Sequence, residues 1–264
     1  MSSDPESPPL GSSAAPRARA STSDIGPAPN NTSTTSPTSG QGIGVPNPEM
    51  LDLMTKLAME DAEEMKRTGE NPAEKIWRER SQWARDDARS AKLKEIGNAA
   101  FKQGDYKKAF VVYSACISRT PHLEVYSLNR AAAGLKLRLY TRVLLDAKRV
   151  VDDPRPSQAS IAKAYFRAGQ AGRALGNWDF AEGAFGEARN LAPGDASVLA
   201  EITELERIRV LPDDERTAWV EAQEPRNLED VFGGEDTFER LVKEQVDVAE
   251  ALPISSEEFW DAMM

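Results

Sequence analysis

Cysteine and histidine are nearly absent from this 264-residue chain, which has one of each, Cys116 and His122. A single cysteine cannot close an internal disulfide, so the framework of a small secreted domain is excluded. No stretch approaches the roughly 18 apolar residues of a membrane span. Residues 1–10 have no apolar signal core and carry Asp4 and Glu6, which argues against a secretory or transit peptide. The Asn31-Thr32-Ser33 sequon is then a chance match in a polar stretch. The expected location is the cytoplasm, with the nucleus as a second compartment. Also missing are a phosphate-binding loop, a dinucleotide fingerprint and any metal-ligand spacing. His122 stands beside Pro121 at a turn, a surface setting without the partners that a base or ligand needs. Cys116 occupies a small-residue packing position and reads as an inert buried thiol. The partners that a cysteine or serine nucleophile requires are not visible. The chain is expected to be no enzyme and to hold no cofactor or metal.

What is present is unevenly spread. Residues 1–45 are rich in Ser, Pro, Gly, Thr and Ala and contain no aromatic residue. They cannot bury enough apolar area to offset chain entropy, so this segment is expected to be disordered. The formal charge of the chain is −10. Residues 90–193 hold 17 Lys and Arg against 9 Asp and Glu, a local +8, while the remainder carries −18. A basic middle in an acidic chain points to an acidic peptide or to nucleic acid as the partner.

Residues 47–68 read as a helix, with Met50, Leu51, Leu53, Met54, Leu57 and Ala58 at helical spacing. Gly69 ends it, and Asn71-Pro72-Ala73-Glu74 restarts a helix with Asn71 as N-cap. This second helix carries Ile76, Trp77 and Trp83 among charges. From Ser90 the chain repeats. The first unit, residues 90–123, places Leu93, Ile96, Gly97 and Phe101 on one helix and Tyr106, Ala109, Tyr113 and Cys116 on the next. The second unit starts 34 residues later, at Glu124. In it Ala131 stands for Gly97, Tyr140 for Tyr106, Ala147 for Tyr113 and Val150 for Cys116. Val143 replaces Ala109, so this unit is expected to be looser. The third starts at Ala162 after a connector, residues 152–160, and runs through Tyr165, Gly169, Trp178, Ala181, Phe185, Ala188 and Pro193. The small residues let helices approach and the large ones fill the space between stacked units. Residues 196–209 read as a closing helix with Val198, Leu199, Ile202 and Leu205 on one face. Beyond Leu211 the chain is acidic. Asp236 is a candidate cap for a helix over 237–251, and Ser255-Ser256-Glu257-Glu258 starts a last short helix.

The order of small, aromatic and proline positions resembles the tetratricopeptide repeat (TPR), whose period is 34 residues. The resemblance implies an all-α fold: a three-repeat TPR superhelix with a capping helix, flanked by helical acidic segments and a disordered N-terminus. The expected divisions are 1–45, 46–89, 90–210 and 211–264. Lys94 and Asn98 share a helix face at i, i+4, as do Lys163 and Arg167, and Asn129 is followed on its face by Ala132, Ala133 and Lys136. Asparagine is a poor helix former, so Asn98 and Asn129 within helices ask for a functional cause. The stretch Lys94-Glu95-Ile96-Gly97-Asn98-Ala99-Ala100-Phe101, with Asn129-Arg130-Ala131-Ala132 and Lys163-Ala164-Tyr165-Phe166-Arg167, is similar to the carboxylate-clamp subfamily at every specified position. That resemblance implies a co-chaperone adaptor. Its partners would be the Glu-Glu-Val-Asp tails of the 70 kDa and 90 kDa heat-shock chaperones, with client proteins on the flanks and neither nucleic acid nor membrane. The implied peptide-binding set is Lys94, Asn98, Asn129, Ala132, Lys136, Lys163 and Arg167. In it Lys94, Asn98 and Asn129 hold the main-chain carboxylate, Lys163 the aspartate side chain and Arg167 an upstream carbonyl or acidic group. The runner-up is a TPR scaffold for another acidic peptide, its flanking helices being the main interaction sites. Nucleic acid fits less well, because Tyr106, Tyr113, Trp178 and Phe185 sit at packing positions instead of alternating with basic residues on an open face. The acidic group Glu257, Glu258 and Asp261 is also a candidate for folding back onto the clamp in cis.

Overall fold

A computed structural model describes residues 48–264. The expected disorder of residues 1–45 lies outside the described residues. The chain divides into two units, Met1–Lys56 and Leu57–Met264. In the first, the described part is the opening of α1 (Pro48–Thr68), where Leu51, Leu53 and Met54 are exposed and Thr55 Oγ1 donates to the Leu51 carbonyl at 2.7 Å. All other elements belong to the second unit.

Asn71 forms the anticipated capping box: its side chain accepts from the Glu74 N–H, and the Glu74 carboxylate accepts from the Asn71 N–H. The helix it opens, α2 (Pro72–Lys102), runs for 31 residues without a break. The expected division between residues 89 and 90 therefore falls inside one helix. The physical reason is that no Gly or Pro interrupts residues 73–96, and Gly97 is needed for packing, not for a turn.

The hairpins follow as α3 (Tyr106–Arg119), α4 (Glu124–Leu137), α5 (Tyr140–Asp152), α6 (Gln158–Ala174) and α7 (Trp178–Leu191), each packed on the next. The third unit's first helix begins four residues before Ala162, because Ser157 caps it through the Ser160 N–H. A Cβ on Gly97 would lie 2.7 Å from the Tyr113 ring, and one on Gly169 would lie 2.6 Å from Phe185. These two glycines set the approach of the first and third hairpins. The second hairpin is not looser as expected. Val143 is fully buried, and Gly134 makes the room for it, since a Cβ there would meet Val143 Cγ2 at 2.9 Å.

In the closing helix α8 (Ala196–Arg209), Val198, Leu205 and Ile208 are buried, whereas Leu199 is 45% exposed. The buried track runs i, i+7, i+10, which turns Leu199 off the packed face. The acidic C-terminal segment holds α9 (Asp213–Glu221), α10 (Leu228–Phe232), α11 (Glu235–Glu250) and α12 (Ser256–Met263). Asp236 is not the cap of α11, because the helix starts one residue before it on Gly234. The last short helix does start at the Ser255-Ser256-Glu257-Glu258 stretch, and Ser255 caps it with a capping box to Glu258. Both α11 and α12 return to the array: α11 packs on α3 and α2, and α12 packs on α2. Phe238 joins Phe110 and Phe232 in one aromatic cluster, and Ala249 is buried among Leu93, Cys116 and Tyr126. Through α10 and α11 the acidic segment thus contributes to the core.

Candidate functional site

The expected site residues occupy the first helices of the three hairpins. Lys94 and Asn98 lie on α2, Asn129, Ala132 and Lys136 on α4, and Lys163 and Arg167 on α6, which packs against α4. None of the seven is buried, and Lys136 and Lys163 are exposed. First helices of stacked hairpins line the concave side of such arrays.

Asn98 is positioned from both sides. Tyr113 donates its hydroxyl to Asn98 Oδ1 at 2.8 Å, and Asn98 Nδ2 reaches the Glu95 carboxylate at 3.4 Å. Lys94 Nζ lies 3.6 Å from Glu95 Oε1. Both Glu95 contacts are long and exposed, so an incoming carboxylate can replace them at small cost. Arg167 differs. Its Nη1 is buried and has no hydrogen-bond partner. Burial pulls its pKa down to about 10, against the opposing pull of Tyr113 and Asp146, and leaves it a cation at neutral pH. A partly buried cation with an orphaned donor is costly until an acceptor meets it.

A neighbouring network was not visible in the sequence. Arg130 Nε donates to Asp146 Oδ2 at 2.9 Å, Arg130 Nη1 donates to Ser114 Oγ at 3.2 Å, and its guanidinium lies over the Phe110 ring at 5.7 Å. Asp146 is 2% exposed, and burial raises its pKa while Arg130 opposes the rise. This ties α3, α4 and α5 together beneath the site. The motif match around Asn129 included Arg130, but only contacts across the fold show its partner. Tyr113 registered in the sequence as a packing aromatic, and its hydroxyl contact with Asn98 is equally non-local.

Away from the site, burial pushes the Cys116 thiol up to about 12, with Sγ donating to the Ser90 carbonyl, in keeping with an inert thiol. His122 is partly exposed and has a partner after all, Asp87, at 3.3 Å. The acidic C-terminus does fold back, but Glu258 pairs with Lys92 at 2.9 Å and not with a clamp residue. No helix among the described residues is long and apolar enough to cross a membrane.

Known proteins are similar to part of this chain. Tetratricopeptide repeat protein 12 of Mus musculus is 35% identical over 101 residues, 38% of this chain and 14% of that protein. Heat shock protein STI1 of Saccharomyces cerevisiae is 33% identical over 153 residues, 57% of this chain and 24% of that protein. The chain is similar to tetratricopeptide-repeat proteins. The Hsp70-Hsp90 organizing protein of Triticum aestivum shares 30% identity with it over 119 residues, 45% of this chain and 20% of that protein. The TPR match thus spans a quarter or less of these relatives' own lengths. No family model matches the chain. Among solved structures, the first TPR of Spaghetti (RPAP3) bound to HSP90 peptide SRMEEVD is 28% identical, with a TM-score of 0.44, covering 47% of this chain and 96% of that one.

Proposed function

We propose that the TPR array is a co-chaperone module that grips the C-terminal Glu-Glu-Val-Asp tail of the 70 kDa and 90 kDa heat-shock chaperones through a two-carboxylate clamp. The observation that carries the proposal is Arg167, a charged guanidinium with a buried, orphaned Nη1. It shares the first-helix row with Lys94, Asn98, Asn129 and Lys163. Lys94, Asn98 and Asn129 take the main-chain carboxylate, Lys163 the aspartate side chain and Arg167 an acceptor further up the peptide. Ala132 leaves space on α4, and Lys136 extends the positive charge. Such bonds to ionised groups are roughly twice as strong as neutral ones. The names of the yeast and wheat relatives, with their heat-shock and Hsp70-Hsp90 terms, point the same way. In this reading the chain has no catalytic role, works in the cytoplasm with a nuclear share, and meets clients through its flanks, without nucleic acid or membrane.

Calorimetric titration with a peptide ending Glu-Glu-Val-Asp, and with its C-terminally amidated form, tests the clamp. The free acid should bind. Amidation and Lys163→Ala should each weaken binding by about 2–5 kcal/mol. Equal affinity for the two peptides would overturn the proposal. It would favour the second reading, a scaffold whose flanks do the binding, to which the exposed Ile76, Trp77 and Trp83 are suited.

A further inference from the structure

We propose that Ser256 is a phosphorylation site whose phosphate is received by Arg85 and Arg89, strapping α12 to α2. Where α12 meets α2 there is a cavity of about 410 Å³, lined by Arg85, Arg89, Ser255, Ser256 and the side chains of Phe259 and Trp260 among others. Arg85 and Arg89 stand one turn apart on α2. Neither makes an ion pair among the described residues. Arg85 lies over the Phe259 ring at 5.5 Å, and Arg89 Nε is buried with no hydrogen-bond partner. The nearby carboxylates are engaged elsewhere: Asp86 holds Arg119, Asp87 faces His122, and Glu258 holds Lys92. The cavity is therefore lined by two cations and no anion.

The two serines differ. Ser255 is committed to the α12 capping box, its Oγ accepting from the Glu258 N–H at 3.2 Å. Ser256 is exposed, at the first position of the helix, and its hydroxyl makes no hydrogen bond among the described residues. Glu257 and Glu258 follow it, which suits a protein kinase that prefers acidic residues on the C-terminal side. Such a kinase transfers the γ-phosphoryl group of ATP: the Ser256 Oγ–P bond forms as the bond to ADP breaks, and the hydroxyl proton leaves. A phosphoserine carries about −1.5 to −2 charges at pH 7 and three strong acceptor oxygens, which stabilise a helix N-terminus and pair with arginine. Repulsion from Glu257 is opposed by Arg85, Arg89 and the helix end. Besides Arg85 over Phe259, the contacts of α12 and the residues just before it with α2 include the Lys92–Glu258 pair, the Lys92 contact to the Pro253 carbonyl, an Arg80 bond to the Met263 carbonyl at 3.3 Å and the Trp77–Trp260 ring contact at 6.1 Å. All four lie at the surface, so the element is loosely bound and open to tightening.

The test uses the full chain carrying phosphoserine at 256, compared with the unmodified chain by hydrogen exchange of the α12 amides. Phosphorylation should slow their exchange by roughly tenfold, as expected for one or more new charge-assisted bonds. The slowing should vanish in an Arg85→Ala, Arg89→Ala variant. If the double variant is poorly folded, Arg85→Ala alone serves, because that side chain is exposed and should give a partial loss. Unchanged or faster exchange on phosphorylation overturns the proposal, as does slowing that survives loss of the arginines. Incubation with an acidophilic kinase and ATP, followed by mass-spectrometric mapping, should place phosphate on Ser256, and a chain left unmodified there overturns the modification. Peptide affinity at the clamp is measured separately, so neither proposal depends on the other.

Discussion

Tyr113 lays its ring on Gly97 and points its hydroxyl at Asn98, so one side chain both spaces a hairpin and aims a polar group. Tyr113→Phe keeps the ring and removes the aim. It should weaken tail binding by about 0.5–1.5 kcal/mol with little change in melting temperature, read by calorimetry and thermal unfolding on the same sample. Arg130→Ala should behave in the opposite way. It strands the buried Asp146 carboxylate, which typically costs about 3–5 kcal/mol. Burial already raises Asp146 above the ordinary carboxylate value, and without Arg130 it rises further. A raised acid holds its proton in the folded state at a pH where the unfolded chain has lost it, so acidification favours the fold. The deficit of the variant should therefore shrink as pH falls from neutrality, measured by urea unfolding at several pH values. At this scale the helical placement of Lys94, Asn98, Asn129, Lys163 and Arg167 was legible, because helix faces follow from spacing alone. The Tyr113 hydroxyl and the Arg130–Asp146 pair were not, because each contact spans some 15 residues and leaves no periodic trace.

Among the elements, the best-read features were those fixed by local chemistry. The Asn71 cap, the start of α12 at Ser255 and the packing glycines of the first and third hairpins each involve a few neighbouring residues or the repeat itself. The unity of α2 was hidden because the repeat period suggested a start at Ser90, although nothing in the backbone stops there. Short α9 and α10 went unseen for want of length. The role of α11 was hidden too, since its apolar face records only that some partner exists. That partner is α3, and Phe238 against Phe110 is the centre of the contact. Phe238→Ala should destabilise the fold by about 3–5 kcal/mol, visible as an earlier urea midpoint. If the midpoint does not move, α11 is not part of the core.

For the whole molecule, the charge division seen in the sequence gains a use. The basic array, +8 over residues 90–193, is set in a chain of −10. On the proposed function, an acidic tail would be drawn to that array over a range of about 10 Å at 0.1 M salt. Its association rate should fall as salt is raised, while dissociation changes less, a pattern checked by stopped-flow with a labelled peptide. A salt-independent association rate would mean that the array does not steer its ligand.

The unbroken α2 also works as a ruler. Ile76 and Lys94 are 18 residues apart, roughly five whole turns, and Trp83 and Lys94 are 11 apart, roughly three. The three side chains thus emerge on nearly the same side of one rod, at about 27 Å and 16 Å along its axis from the lysine. Two ligands gripping these marks, one apolar and one acidic, would be held at a fixed distance and a fixed angle, with no linker left to adjust either.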